Sequence, residues 1–310
     1  MAEGHGRGMP WHPVGRVVRA IAGAVGVVAV VAALVVLLAA GCAAKRPACA
    51  IVAPAAPGPP LLWRVQRDAG PIVWLYGTIH DASIDAVPGA ALAALAASTR
   101  FVSELGDVEP DRERLRELTR IPSGPGIDHQ LGDDWWDLRD LLRDVIREDD
   151  LRRARPWYAL ILLDRRSAPR VVAMDASLGA RARAFALPVE ALERVEDQIA
   201  ALDAVVSIDN LRAALRERAT MPCQHAALHA AYKAGDLASL AGMLVLPRTA
   251  ETVLYARNRR WLPVIERYLA EGGAFVAVGA GHLLGEQGLP ALLARAGYTV
   301  ERAAEHRVTR

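Results

Sequence analysis

The sequence predicts an α/β (α+β) fold in which a single mixed β-sheet is wrapped by helices, with strands at both ends of the domain and a helical middle. Short runs rich in β-branched and aromatic residues occupy both ends: 61–66, 72–76 and 101–105 at the front, and 274–278 and 298–302 at the back. Between them, helical patterns dominate from 111 to 174 and from 196 to 233. We therefore expect the first and last strands to meet in the sheet.

The front of the domain predicts a hairpin, a helix and a third strand. The runs LLWRVQ (61–66) and IVWLY (72–76) are separated by Arg-Asp-Ala-Gly (67–70), which is typical of a hairpin turn. An alanine- and leucine-rich stretch at 88–98 predicts a helix. FVSEL (101–105) is short and apolar, which indicates a buried strand.

The helical middle has breaks at 122–126, at Pro156 and near Pro222. The remaining elements follow in order: a short strand at 189–192, a helix at 252–269, a strand at 274–278, a helix at 289–296 and a last strand at 298–302. Gly297 stands where a glycine is expected just beyond the end of a helix.

Composition and charge argue against several classes of protein. The chain has 310 residues, of which 53% are hydrophobic and 23% charged, so apolar residues are too plentiful for a disordered chain. Residues 51–310 carry 32 basic against 34 acidic side chains, which argues against a nucleic-acid-binding domain. Three cysteines are too few for a disulfide scaffold, and no Cys-x-x-Cys pair indicates a structural zinc site.

The first segment, 1–42, predicts a signal or an anchor. Arg16 and Arg19 precede an uncharged apolar run, 20–41, which is long enough to span a bilayer as a helix. The run ends in Leu-Ala-Ala-Gly before Cys42, which resembles a bacterial lipobox. Two interpretations remain open: a lipoprotein signal with lipid on Cys42, or an uncleaved transmembrane helix. Either one predicts a protein of the cell envelope, anchored to the membrane with its domain on the extracytoplasmic side.

A linker rich in proline and alanine, 43–60, separates this segment from a folded domain at 61–310. An extracytoplasmic compartment permits disulfides. If Cys42 carries lipid, Cys49 and Cys223 remain as a possible pair, although the sequence alone does not show that they come within bridging distance.

Two glycine–histidine corners are the strongest functional signal. The segments IVWLYGTIH (72–80) and AFVAVGAGH (274–282) each read as a buried strand followed by Gly-x-x-His. Ligands bind beyond the carboxyl ends of strands in open α/β sheets, so neighbouring corners would direct His80 and His282 to one point. Imidazole is the commonest neutral metal ligand. The alternative is that both are ordinary loop histidines.

Glu104 extends this hypothesis to a metal centre. It is the one charge in FVSEL, and a carboxylate there is unfavourable to bury unless it is paired or bound to a metal. Two histidines and a carboxylate form a familiar divalent-metal set that generates hydroxide from bound water near neutral pH.

Five segments carry a family resemblance. LYGTIHDAS (75–83) and the long run from 276 to 300 resemble the opening and closing motifs of the TraB/GumN family. FVSELG (101–106), ALERVEDQIAAL (191–202) and YARNRRWLPVIERYL (255–269) are similar to its other conserved segments, in the right order. The five segments are spread from 75 to 300, so the resemblance spans most of residues 61–303.

The resemblance implies a Tiki-type metalloprotease-like fold whose site is two Gly-x-x-His motifs and a glutamate, here His80, His282 and Glu104. It implies a divalent metal, manganese or cobalt, and a peptide or protein substrate. Glu104 would be a metal ligand or the general base. Distant relatives include esterase-like hydrolases and a haem-binding lipoprotein, so the alternative is a non-enzymatic haem-, metal- or peptide-binding lipoprotein. The family acid that usually follows Glu-Leu is replaced by Gly106, with Asp107 one place on.

Three further residues are candidates for catalysis. Glu193 ends a predicted strand and would act as a ligand or general base, or else cap the next helix and belong to its charged first turn; Gln198 stands at the start of that helix. Arg257 would hold a substrate carboxylate, and with Asn258 would stabilise the oxyanion. Alternatively, Arg257 belongs to a solvated face.

The remaining polar candidates have a plainer alternative. His225 and His229 share a helix face near Cys223 and form a rival metal site, or are simply surface histidines on an alanine-rich helix. The hydroxyl of Thr78 would contact metal-bound water or substrate, or else cap the following turn.

Overall fold

The structure is a computed structural model that describes residues 56–107 and 112–304. These residues form one six-stranded mixed sheet with helices, which confirms the predicted fold class. Its strands are β1 (Leu62–Gln66), β2 (Val73–Thr78), β3 (Phe101–Ser103), β4 (Val189–Ala191), β5 (Ala274–Gly279) and β6 (Thr299–Arg302). The predicted leader, 1–42, and most of the linker lie outside the described residues.

The sheet order is β4-β3-β5-β2-β1-β6. The inner strands β2, β5, β3 and β4 run parallel to one another, whereas β1 pairs antiparallel with both β2 and β6. The first and last strands therefore meet in the sheet, as predicted. The hairpin is also confirmed, since the amide of Gly70 donates to the carbonyl of Arg67 over 3.0 Å.

The helices lie on and beyond this sheet. They are α1 (Gly89–Ala96), α2 (Arg112–Thr119), α3 (Ile127–Leu131), α4 (Asp134–Leu142), α5 (Glu148–Arg152), α6 (Pro156–Ser167), α7 (Met174–Ala184), α8 (Val195–Val205), α9 (Ile208–Glu217), α10 (Met221–Ala234), α11 (Leu237–Leu244), α12 (Ala256–Glu271) and α13 (Leu289–Arg295). A π-helical turn, Glu251–Tyr255, leads directly into α12.

The structure has the predicted breaks in the helical middle at Pro156 and near Pro222. Each proline stands in the first turn of a new helix, α6 or α10, where its missing N–H would have no partner within the helix. The sequence did not indicate α11 as a separate helix. Gly297 adopts φ +88° directly after α13, as the predicted glycine beyond a helix end requires.

Two apolar clusters stabilise the fold. A sheet core contains buried strand residues such as Leu75 and Val276 together with the apolar face of α12. A helical core contains residues such as Leu160 of α6 and Leu211 of α9, together with the π-helical turn. No helix in the described ranges is long and apolar enough to cross a membrane.

Candidate active site

The parallel pairing of β2 with β5 places both glycine–histidine corners at one edge of the sheet. Thr78 of β2 lies opposite Gly279 of β5, so both strands end at the same level. His80 and His282 follow within three residues and are 8% and 1% exposed. The carboxyl edge of β3, on the other side of β5, contributes Glu104.

Glu104 is a buried, ionised carboxylate with three donors. Its Oε1 accepts from the amide of Gly279 over 2.8 Å, while its Oε2 accepts from Gln198 Nε2 over 2.9 Å and Arg257 Nη2 over 2.6 Å. Burial alone would raise the pKa of Glu104, but Arg257 and the other partners lower it to about 2. The carboxylate is therefore charged across the physiological range.

Glu193 lies next to Glu104 because the β3–β4 ladder continues beyond the strands. The amide of Glu193 donates to the carbonyl of Glu104 over 3.0 Å. Burial raises the pKa of Glu193 although Arg257 donates to it, and the charge of Glu104 raises it further. Its side chain faces the site and does not cap α8.

Arg257 holds the two glutamates together. It is fully buried, so the solvated-face interpretation is wrong. Its Nε and Nη2 donate to Glu193, and Nη2 also donates to Glu104. Its Nη1 donates to the carbonyl of Val253 over 2.8 Å and lies 3.2 Å from His282 Nε2. All five N–H groups of the guanidinium are thus engaged, and none is left for a substrate carboxylate.

Asn258 fixes the orientation of His282. Its Nδ2 donates to the carbonyls of His282 and Gln287 over 3.1 and 2.9 Å, so its Oδ1 is the atom that accepts from His282 Nδ1 over 2.7 Å. Nδ1 therefore carries the proton, and Nε2 presents a lone pair towards Arg257. Burial and the charge of Arg257 lower the pKa of His282 to about 3, which keeps the ring neutral.

His80 is held in the same manner by a residue that sequence reasoning missed. Its Nδ1 lies 2.6 Å from Oδ2 of Asp175, whose Oδ1 accepts from the hydroxyl of Thr78 over 2.6 Å. Burial lowers the pKa of His80 to about 4 and raises that of Asp175 to about 7. Asp175 stands in the first turn of α7. It is the one acidic residue between Asp164 and Glu190, and this isolation is the sequence feature that could have identified it as a site residue.

The rival histidine pair forms a charge cluster instead of a metal site. His225 Nδ1 lies 2.7 Å from Asp81 Oδ2, and its Nε2 lies 3.2 Å from Asp164 Oδ1. Burial alone would lower the pKa of His225, but the bonds to Asp164 and Asp81 raise it to about 10, so the ring is protonated and offers no lone pair. The surface-histidine interpretation is wrong for His225, which is 7% exposed. Cys223 is disulfide-bonded.

The displaced family acid has a surface role. Asp107 forms an ion pair with Arg183 of α7, and both side chains are about half exposed. It makes no contact with the glutamates or the histidines among the hydrogen bonds and ion pairs of the described residues. The candidate site therefore does not use it.

The donor chemistry of the site fits a divalent metal, although its ligands are not gathered. His80 and His282 are neutral, and each has its Nδ1 held by an oxygen, as in metal-bound histidines, whereas the Nε2 lone pair of His282 faces Nη1 of Arg257. Within the described ranges, no group of three or more His, Cys, Asp or Glu side chains is arranged to hold a metal ion. Arg257 contacts both His282 and Glu104, so metal binding to these two residues would compete with it.

One comparison with known proteins gave a match. A family model described as the TraB/PrgY/gumN family matches residues 61–302, a span that contains every residue of the candidate site. Neither the curated proteins nor the solved structures gave a match.

Proposed function

Because the chain belongs to the TraB/PrgY/gumN family, we propose that it is an exported, membrane-anchored, metal-dependent hydrolase that cleaves peptide bonds. The observation that carries this proposal is the pair of neutral imidazoles beyond adjacent parallel strands, each held at Nδ1 by an oxygen. Such holding partners orient metal ligands and fix their tautomers.

His80 and His282 would hold a divalent metal, manganese or cobalt, through Nε2, with Glu104 as a third ligand or as the general base. A metal ion bound there supplies Lewis-acid chemistry and lowers the pKa of bound water. The other side chains keep these three residues in place. Asn258 orients His282, and Gln198 holds Glu104 from α8.

Asp175 gives the site a group that exchanges a proton near neutral pH. Its pKa of about 7 means that both protonation states are populated when the partner His80 is neutral. A carboxyl group with such a pKa is suited to general acid–base catalysis.

Arg257 has a positioning role in this proposal. Since its five N–H groups are engaged within the protein, it stabilises the charges of Glu104 and Glu193 and does not bind substrate directly. Arg260 lies 3.8 Å from Glu193 and is half exposed. Unlike the buried Arg257, it would be accessible to the carboxylate of an incoming substrate.

Export and anchoring rest on the leader and on one cysteine. The uncharged run 20–41 is followed by Cys42. Disulfides persist in oxidising compartments, and the bonded state of Cys223 supports an extracytoplasmic location for the domain.

The decisive experiment measures metal content and the affinities for Mn²⁺ and Co²⁺ of the full chain and of His80→Ala and His282→Ala. The matched control is His129→Ala, since His129 is exposed on α3 and has no partner in the candidate site. We expect about one metal per chain in the wild type and in the control, and loss of the metal in both site variants. A peptide-library screen on the loaded protein would then identify the cleaved bond.

Absence of specific binding, or equal binding in all four proteins, would refute the metallohydrolase. Metal binding without turnover of any peptide, or a Soret band on addition of haem, would support the non-enzymatic binding lipoprotein instead.

A further inference from the structure

Two of the proposed metal ligands already share a cation of the protein itself. Oε1 of Glu104 lies 3.8 Å from Nε2 of His282, so the two side chains are close together. Arg257 bonds to both of them: its Nη2 donates to Glu104 over 2.6 Å, and its Nη1 lies 3.2 Å from Nε2 of His282. Because Nδ1 of His282 carries the proton, Nη1 donates to the same Nε2 lone pair that a metal would take.

The rest of the guanidinium is held without these two ligands. Nε of Arg257 donates to both carboxylate oxygens of Glu193 over 3.1 Å, and Nη2 also donates to Glu193. Nη1 also donates to the carbonyl of Val253 over 2.8 Å. If Arg257 released Glu104 and His282, three of its N–H groups would therefore keep their partners.

Charge makes the two bound states exclusive. The side chains of Glu104 and Glu193 are 9% and 3% exposed, and buried carboxylates of this kind need a cation beside them. Arg257 supplies that cation to both. A divalent metal bonded to Glu104 would repel the guanidinium in a site that water screens poorly, and both compete for one lone pair of His282.

We propose that Arg257 is an internal competitor of the metal, which holds Glu104 and His282 in the metal-free protein and withdraws onto Glu193 when a divalent metal binds. This inference rests on the proposed function and adds a regulation of the same site. It gives Glu193 a role distinct from metal ligation and from general base catalysis, since Glu193 keeps the displaced arginine paired. The metal affinity is then set by how firmly Arg257 holds its partners.

The experiment measures Mn²⁺ affinity by isothermal titration calorimetry on the full chain. We expect Arg257→Gln to bind Mn²⁺ about tenfold or more tightly than the wild type, because removing a like charge at this distance shifts such an equilibrium by about tenfold to a thousandfold. The matched control is Arg260→Gln, which removes a half-exposed guanidinium beside the same glutamate. Its affinity should change by less than about threefold, since exposed charges are screened.

Glu193→Gln tests the second half of the proposal. Arg257 then depends on Glu104 alone for its charge partner and is harder to displace, so we expect the Mn²⁺ affinity to fall about tenfold. This loss should be absent when Glu193→Gln is made in the Arg257→Gln background. Mn²⁺ should also raise the melting temperature of Arg257→Gln more than that of the wild type.

Several outcomes would overturn the proposal. Equal or weaker binding by Arg257→Gln would show that Arg257 positions the ligands and does not compete. A loss in Glu193→Gln that persists in the double variant would show that Glu193 ligates the metal itself. If Arg257→Gln stays unfolded even with Mn²⁺, an unchanged affinity of Glu193→Gln decides against the competition. Failure of the proposed function is distinct, because then none of the five proteins binds Mn²⁺.

Discussion

Single side chains in this site act through the hydrogen bonds that hold them. Glu104 accepts from a backbone amide, an amide side chain and a guanidinium, which together keep a buried carboxylate ionised. Arg257 in turn has no N–H left to offer. The network is therefore closed, and removing any one member leaves a buried polar group with fewer hydrogen-bond partners.

The first prediction concerns stability. Glu104→Ala deprives Arg257 of one carboxylate in a buried environment, where breaking such a pair costs about 3–5 kcal/mol. We expect the free energy of unfolding, measured by urea denaturation and tryptophan fluorescence, to fall by about 3 kcal/mol or more. Glu251→Ala is the control, because Glu251 pairs with Arg259 on the surface and should cost less than about 1 kcal/mol. Equal losses would contradict a closed buried network.

The second prediction concerns the tautomer of His80. Asp175→Asn places an amide against Nδ1, where the carboxylate now accepts. We expect the affinity for Mn²⁺ to fall about 10–100-fold, as for other partners of metal-bound histidines. The ¹⁵N shifts of the His80 ring should report a larger fraction of protonated Nε2. Asp209→Asn, at an exposed carboxylate of α9, should change neither quantity.

Local patterns and the family resemblance together predict part of this site. The patterns point to Glu104 and His282, the resemblance adds Glu193, Arg257 and Asn258, and the structure joins these five residues by hydrogen bonds. The partner of His80, in contrast, lies 95 residues away on a helix whose packing no local pattern predicts. The burial of a histidine on an alanine-rich helix likewise depends on the neighbouring helix.

At the scale of elements, the active site lies where the two cores meet. Glu104 stands between Val102, which packs in the sheet core, and Leu105, which packs in the helical core. Arg257 follows a π-helical turn of the helical core and begins a helix of the sheet core. Polar side chains between the two cores are shielded from water on both sides, so they must form hydrogen bonds with one another. The strands at either end were predictable, but the second core was not, because helix periodicity does not show which helices pack together.

The third prediction concerns pH and the contact of α10 with α6. His225 has its pKa raised from its usual value near 6.5 to about 10, so it stabilises the fold fully below pH 6.5 and this stability is lost as pH rises towards 10. We expect the melting temperature of the wild type to decline over that interval. In His225→Gln the decline should be much smaller, from a lower starting point. A decline of unchanged size would show that other groups cause it; His129→Gln, at an exposed histidine, serves as control.

At the scale of the whole molecule, one arginine ties both ends of the domain to α10. Arg302 of the last strand donates to the carbonyls of Pro59, Pro60 and Gly235. The amide of Gly58 donates to the carbonyl of Lys233 over 3.0 Å. The described end of the linker, 56–60, therefore lies against the C-terminal end of α10, the helix that contains the disulfide-bonded cysteine in its first turn.

The fourth prediction concerns the three cysteines. Cys223 is disulfide-bonded, and the other two cysteines, Cys42 and Cys49, lie outside the described residues. A lipidated cysteine has no thiol to pair, so a lipoprotein requires Cys49 as the partner of Cys223. We therefore expect the wild type to incorporate an alkynyl fatty acid and to show no free thiol on alkylation without reductant.

The serine variants separate the two interpretations of the leader. Cys49→Ser and Cys223→Ser should each expose one thiol and keep the lipid, whereas Cys42→Ser should lose the lipid and expose none. If Cys42→Ser instead frees the thiol of Cys223, the disulfide joins Cys42 to Cys223 and no lipid can occupy Cys42. Because a disulfide at that position would tether the domain directly beside the apolar run, the uncleaved helix would then be the anchor.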